Sequence, residues 1–130
     1  MTQTTWDEVA GGQEIALVEE MSTQRLVIWA AAVADYYQIH YDEAYANEND
    51  LPGIIVHGAL KGMLVGRLLD EWVGEQGRIV RWGVAYRGMD RARLPVTVWG
   101  KITRKYEENG RALVDLSRKS RLNSSHGYIS

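Results

Sequence analysis

Asp35 and His40 stand five positions apart in Asp35-Tyr36-Tyr37-Gln38-Ile39-His40, just beyond an apolar helical segment. Seventeen residues after His40 comes His57, within Pro52-Gly53-Ile54-Ile55-Val56-His57-Gly58-Ala59-Leu60. This second stretch is a β-branched run that ends on His-Gly and opens another helix. A carboxylate and an imidazole can exchange protons near neutral pH. The start of a helix offers backbone N–H groups that no earlier turn has claimed. Such donors stabilise charge that develops on a carbonyl oxygen. The two stretches therefore hold the parts for proton transfer beside a polarised carbonyl. By spacing alone, the same Asp and His also fit a loop ion pair or unrelated surface residues.

The elements that must hold these residues can be read from periodicity. Gly11-Gly12 breaks the chain, and Glu14 to Glu20 reads as a short strand. Ser22 is a plausible N-cap, and Leu26, Trp29, Ala30 and Val33 recur at helical spacing, so the first helix ends near Asp35. Residues 36–52 read as a long loop with a short helix near Asp42–Ala46, and loops of this length in a compact domain usually carry function. Gly58 to Val73 is the clearest helix, with an apolar stripe of Leu60, Met63, Leu64, Leu68 and Trp72. Gly58, Gly62 and Gly66 recur every fourth residue on it. Because glycine weakens a helix interior by roughly 1 kcal/mol relative to alanine, the row predicts a very close neighbour on that ridge. Lys61, Arg67, Asp70 and Glu71 rule out a membrane helix, so the expected neighbour is a sheet.

Beyond Gly77 the period changes to two. Val80, Trp82, Val84 and Tyr86 predict one strand, and Pro95 starts another through Val96, Val98 and Ile102. Asn109-Gly110 signals a hairpin turn, with Arg111 to Leu116 as the return strand. The order predicts an α+β fold in one domain over residues 1–130, with an antiparallel sheet wrapped around a long central helix. Residues 117–130 alternate poorly and are rich in Ser and basic side chains, which suits a strand plus turn or a cloning-derived or frame-altered end.

Composition narrows the function. A chain of 130 residues is one domain's length and can bury a real core. A net charge of −2 gives no general attraction to nucleic acid or to a membrane surface. The basic residues gather after Arg78, and a local rim of them could bind phosphates on a small molecule, although a solvated surface is the plainer reading of any single arginine. No cysteine is present, which excludes thiolate chemistry and Cys-based zinc sites. A metal site on His40 and His57 is not expected, because no third ligand has supporting spacing. The N-terminus lacks the pattern of a signal peptide and no apolar run could span a bilayer, so a cytoplasmic protein is expected.

These landmarks resemble the MaoC-like, or hydratase-2, branch of the hot-dog fold, over about residues 10–117. The family motif is Asp-x-Asn-Pro-aliphatic-His followed, after five intervening residues, by a small residue, and Asp35, Ile39, His40 and Ala46 fit it. Val56-His57-Gly58 matches the aliphatic-His-Gly segment that opens the family's central helix. The chain departs from the pattern at Tyr37 and Gln38, which replace Asn and Pro. Gly62 or Gly66 stands where relatives often have a small hydroxyl residue, and the expected last strand is a shortened one.

The resemblance implies reversible hydration of a trans-2-enoyl thioester to a (3R)-hydroxyacyl thioester, carried by coenzyme A or acyl carrier protein. It implies that Asp35 and His40 share the acid/base work and that the N–H of Gly58 holds the thioester carbonyl. His57 would brace the loop on the substrate side. Arg87, Arg91 and Arg93 are the candidates for coenzyme A phosphates, with Arg81 and Lys101 as weaker ones. The face of Trp82 and Tyr86 suits core or a dimer interface better than an acyl pocket, and His126 receives no role. No cofactor is implied beyond the carrier of the substrate. A homodimer or higher homo-oligomer is expected, and a heteromer is compatible. Two other readings stay open: a hot-dog acyl-CoA thioesterase, and a non-catalytic acyl-thioester-binding subunit of a heteromeric hydratase.

Overall fold

A computed structural model of the chain describes residues 4–86, 88–117 and 126–128, the last three by their backbone. The elements are β1 (Glu14–Glu20), α1 (Thr23–Val33), α2 (Glu43–Glu48), α3 (Gly58–Val73), β2 (Gly83–Ala85), β3 (Pro95–Glu108), β4 (Arg111–Ser117) and β5 (His126–Tyr128). The strands form one sheet in the order β1-β3-β4-β5-β2. The pairings of β3 with β4, β4 with β5 and β2 with β5 are antiparallel. The result is an α+β hot-dog arrangement, with the sheet packed on the central helix α3.

The chain divides into two compact units. The first comprises Met1–Leu17, Leu64–Gly88 and Val98–Ser130. Its core is apolar: Leu64, Val65, Leu68, Leu69 and Trp72 of α3 are buried, as are Val98, Ile102 and Leu116 of the sheet. Along β3 the even positions from Val96 to Ile102 are buried, the period-two pattern of a strand with one face on a core. A bulge between Ile102 and Arg104 shifts the register, and β3 then runs on to Glu108, directly into the hairpin. The hairpin turns at Asn109 and Gly110, both at positive φ (52° and 72°), as an Asn-Gly type I′ turn requires. A cavity of about 780 Å³ lies in this unit, lined by Leu69, Trp72, Val73, Arg78, Arg111 and Leu113 among others.

Two expectations for this unit are corrected. The predicted strand from Val80 to Tyr86 is paired only over Gly83–Ala85. Val80, Trp82 and Tyr86 are 61%, 43% and 50% exposed, so the Trp82 and Tyr86 face is not core. Alternation alone cannot say where pairing stops, because it records facing and not the length of the neighbouring strand. Nor is the glycine ridge pressed hard at Gly66: an added Cβ there would meet the Trp82 ring at 3.6 Å, an ordinary contact. Gly66→Ala should therefore raise stability by about 0.5–1 kcal/mol through helix propensity. Urea unfolding reads this directly, and a loss of stability would show a neighbour that cannot yield.

The second unit comprises Val18–Met63 and Met89–Thr97. Ser22 caps α1 by accepting the backbone N–H of Arg25 at 3.1 Å. Ala34 ends the helix in the left-handed conformation, with φ at 56°. Asp42 caps α2 by accepting the N–H of Tyr45 at 3.0 Å. Met21, Leu26, Ala30, Ala46, Ile54, Ile55, Val56 and Leu60 are buried and form the apolar part of the unit.

Candidate active site

Asp35, His40 and His57 all belong to the second unit and are brought together there. A carboxylate oxygen of Asp35 and a ring nitrogen of each histidine lie within 4.8 Å of one another. Each residue is placed by backbone geometry that its neighbours dictate. Asp35 directly follows the left-handed Ala34, which turns the chain out of α1, and its N–H still bonds back to the carbonyl of Ala30 at 3.1 Å. His40 closes a 3-10 turn over Gln38–His40, with its N–H donated to the carbonyl of Tyr37 at 3.0 Å. His57 precedes α3, and its carbonyl accepts the N–H of Lys61 at 3.3 Å.

The segment before α3 is held from both sides. On one side the N–H of Ile55 donates to the carbonyl of Ile39 at 3.1 Å. On the other, Val56 N–H donates to the Asp90 carbonyl at 2.8 Å and Ala92 N–H to the Ile54 carbonyl at 2.9 Å. The buried Lys61 then reaches Asp90 Oδ2 at 2.7 Å and ties α3 to the same segment. Every one of these bonds keeps the start of the helix fixed beside His40.

The hydrogen bonds assign the histidine tautomers. His40 Nδ1 lies 2.8 Å from the Ile55 carbonyl, so it carries the proton and donates. Its Nε2 is left with a lone pair that can take a proton. His57 Nε2 lies 3.2 Å from the Asp35 carbonyl, so it too is a donor, and Nδ1 is buried with no hydrogen-bond partner among the described residues. The two rings stack, with centroids 3.7 Å apart and planes at 20°. His40 is 8% exposed and His57 only 1%.

Burial, and after it the positive charge that His40 can carry, push the His57 imidazole below the ordinary histidine range; the Asp35 carbonyl and carboxylate act the other way. His57 is therefore neutral where an unfolded histidine would already be charging. Above pH 6.5 both states leave it neutral and nothing is lost. As pH falls through 6.5 the unfolded chain takes up a proton that the folded chain resists, so stability falls on acidification and levels off below the lowered folded value. His57→Gln should flatten this part of the profile. Denaturant midpoints measured from pH 8 to pH 5 check it; an unchanged slope in the variant would assign the loss to other groups.

The cluster supplies the third metal donor that spacing did not reveal, namely Asp35. The ring geometry nonetheless suits a metal poorly. A histidine ligand binds in the plane of its ring at about 2.0–2.1 Å. Two nearly parallel stacked rings aim their lone pairs along separate planes and cannot both reach one ion at that distance.

Of the remaining candidates, Arg91 and Arg93 are exposed. Arg93 Nη1 lies 3.5 Å from Glu43 Oε2, an exposed pair, and its backbone has a positive φ of 67°. Arg91 is exposed, and its residue bridges Ile55 in the backbone. Arg87 and His126 fall where side chains lie outside the described residues. Lys61 and Asp90 were not singled out by sequence, since a lone Lys on a helix gives no sign that it is buried against an aspartate 29 residues away.

Residues 7–117 match the model of the MaoC-like domain. The chain belongs to the MaoC-like family. Solved structures agree on the fold. The (R)-hydratase from A. caviae involved in PHA biosynthesis superposes with a TM-score of 0.76 at 21% identity, covering 93% of this chain and 94% of that one. The R-hydratase PhaJ1 from Pseudomonas aeruginosa gives 0.76 at 19% identity, over 95% and 81%. A chain of the ChsH1-ChsH2 complex from Mycobacterium tuberculosis gives 0.73 at 21% identity, over 93% and 95%. No curated protein sequence matches the chain. In this MaoC-like protein, none of the helices among the described residues is long and apolar enough to cross a membrane.

Proposed function

We infer that this MaoC-like protein adds water to trans-2-enoyl thioesters and removes it from (3R)-hydroxyacyl thioesters. The observation that carries the reading is the cluster of Asp35, His40 and His57 just before α3, in which the Ile55 carbonyl takes Nδ1 of His40 and leaves Nε2 to accept a proton. In hydration, Asp35 and Nε2 hold one water, and its oxygen forms a bond to C3 while the C2–C3 double bond opens. The water's proton passes to the dyad, and the dyad returns a proton to C2. Charge flows onto the thioester oxygen as an enolate. The backbone N–H of Gly58, the first residue of α3, meets that oxygen, aided by the positive end of the helix dipole. His57 braces this arrangement by stacking under His40 and bonding to the Asp35 backbone. Arg87, Arg91 and Arg93 are assigned to the phosphates of coenzyme A.

A screen of trans-2-enoyl-CoA esters from short to bulky, followed by loss of enoyl absorbance, tests the reading. Turnover of at least one ester is expected. Release of free thiol from acyl-CoA instead would make the protein a thioesterase. Binding of CoA esters without turnover would favour a subunit of a heteromeric hydratase, a reading supported by the likeness to a chain of a two-protein complex.

The edge strand β2 and the exposed Val80, Trp82 and Tyr86 around it favour association, because an open edge invites pairing. Light scattering at micromolar concentration should report at least twice the chain mass of 14.7 kDa. A single chain mass would remove the dimer.

A further inference from the structure

Tyr37 touches both groups assigned to proton transfer. Its backbone N–H points at Asp35 Oδ1 at 3.4 Å. Its carbonyl accepts the backbone N–H of His40 at 3.0 Å. Its ring meets the His40 imidazole edge to face, with centroids 6.2 Å apart and planes at 87°. The same ring meets Tyr45 of α2, again at 6.2 Å and with planes at 71°. The Tyr45 phenol is raised above its ordinary range, first by the charge Tyr37 would carry, then by burial and by their hydrogen bond. Tyr45 itself is held by the Asp42 cap at the start of α2. Tyr37 thus links the helix cap to the imidazole through a short row of rings.

The imidazole of His40 is under three restraints. The Ile55 carbonyl fixes Nδ1, the His57 ring covers one face, and the Tyr37 ring meets it at a right angle. The first two leave the ring able to pivot about the Nδ1 bond within the stack, because stacked faces resist separation more than in-plane motion. Tyr37 opposes that motion. An asparagine at this position, as the family motif has, could bond to a neighbour but could not supply a ring on both His40 and Tyr45.

We propose that Tyr37 is a positioning residue: braced by Tyr45, its ring holds the His40 imidazole so that Nε2 stays aimed at the water shared with Asp35. The catalytic part of this rests on the hydratase reading; the restraint on the ring does not. A misplacement of about 1 Å in a reacting group can cost on the order of 100-fold in rate.

Two measurements test it on the full chain. In the first, Tyr37→Ala should lower kcat on an accepted enoyl-CoA by roughly 10- to 100-fold with KM changed by less than about twofold, and Tyr37→Phe should restore most of the rate. In a His40→Ala background the same Tyr37→Ala change should have no further effect, because the group it positions is gone. A loss of equal size in that background would overturn the proposal, since Tyr37 would then act on something other than His40. In the second measurement, histidine labelled with nitrogen-15 should show a slowly exchanging His40 Nδ1–H in the parent and in Tyr37→Phe. That signal should broaden or vanish in Tyr37→Ala. A signal unchanged in Tyr37→Ala would overturn the positioning role. Should the parent turn over no ester, the hydratase reading fails by itself, and the Nδ1–H signal decides the role of Tyr37. Tyr37 is half exposed, and Tyr37→Leu, which keeps apolar bulk without the ring, gives a second variant expected to fold and to behave as Tyr37→Ala.

Discussion

Asp35→Asn and His40→Ala should each lower the hydration rate by about 10²–10⁴-fold, the usual worth of a positioned acid/base group. The two changes remove different things. Asn keeps the shape of the Asp35 side chain and loses its charge, so the water keeps a hydrogen-bond partner but loses a proton acceptor. Ala at position 40 removes the free Nε2 altogether, together with the bond from Nδ1 to the Ile55 carbonyl. The His40 variant also uncovers the buried His57 ring, so its folding must be confirmed by circular dichroism. The double variant should be little slower than the slower single one, since two groups acting on one water form a unit. Folded single variants with near-parental rates would show that the proton-transfer groups lie elsewhere.

A loss of comparable size is expected from a change that touches no side chain. Gly58→Pro removes the N–H assigned to the thioester oxygen. Proline is well suited to the first position of a helix, where its fixed φ matches and its missing N–H breaks no helical bond. Gly58 is that position in α3, and it is not among the glycines with positive φ. His57 before it ends a non-helical run, as the residue preceding proline prefers. The fold should therefore survive, while kcat falls about 10²–10³-fold, the cost of losing one donor to a developing oxyanion. KM should change little, because the bond strengthens chiefly as charge develops. Gly58→Ala keeps the N–H and should keep most of the rate. Equal losses in the two variants would point to crowding, and rates near the parent in Gly58→Pro would take the N–H out of the mechanism.

The elements around the site could be read from sequence wherever the signal is local. Ser22 and Asp42 are short polar side chains that satisfy N–H groups within three residues of themselves, and both cap the helices expected after them. The helix from Gly58 to Val73 follows from its stripe, and the turn at Asn109-Gly110 from the positive φ those residues accept. The family motif singled out Asp35, His40 and His57 as residues, through the local pattern around each. All of these depend on neighbours along the chain.

Tertiary structure decided what depends on neighbours across the fold. Chain periodicity could not tell that β2 pairs over three residues or that it takes the sheet edge beside β5. Nor could it show that an exposed ring on Trp82 leaves room above Gly66. In the site, sequence supplied residue types but not protonation states. The Ile55 carbonyl, fifteen residues from His40, leaves Nε2 as the nitrogen with a lone pair, and the Asp35 carbonyl, twenty-two residues from His57, puts the proton of that second ring on its Nε2. A side chain carries its chemistry in its type, but which of its atoms is available depends on partners that only folding brings within hydrogen-bond reach.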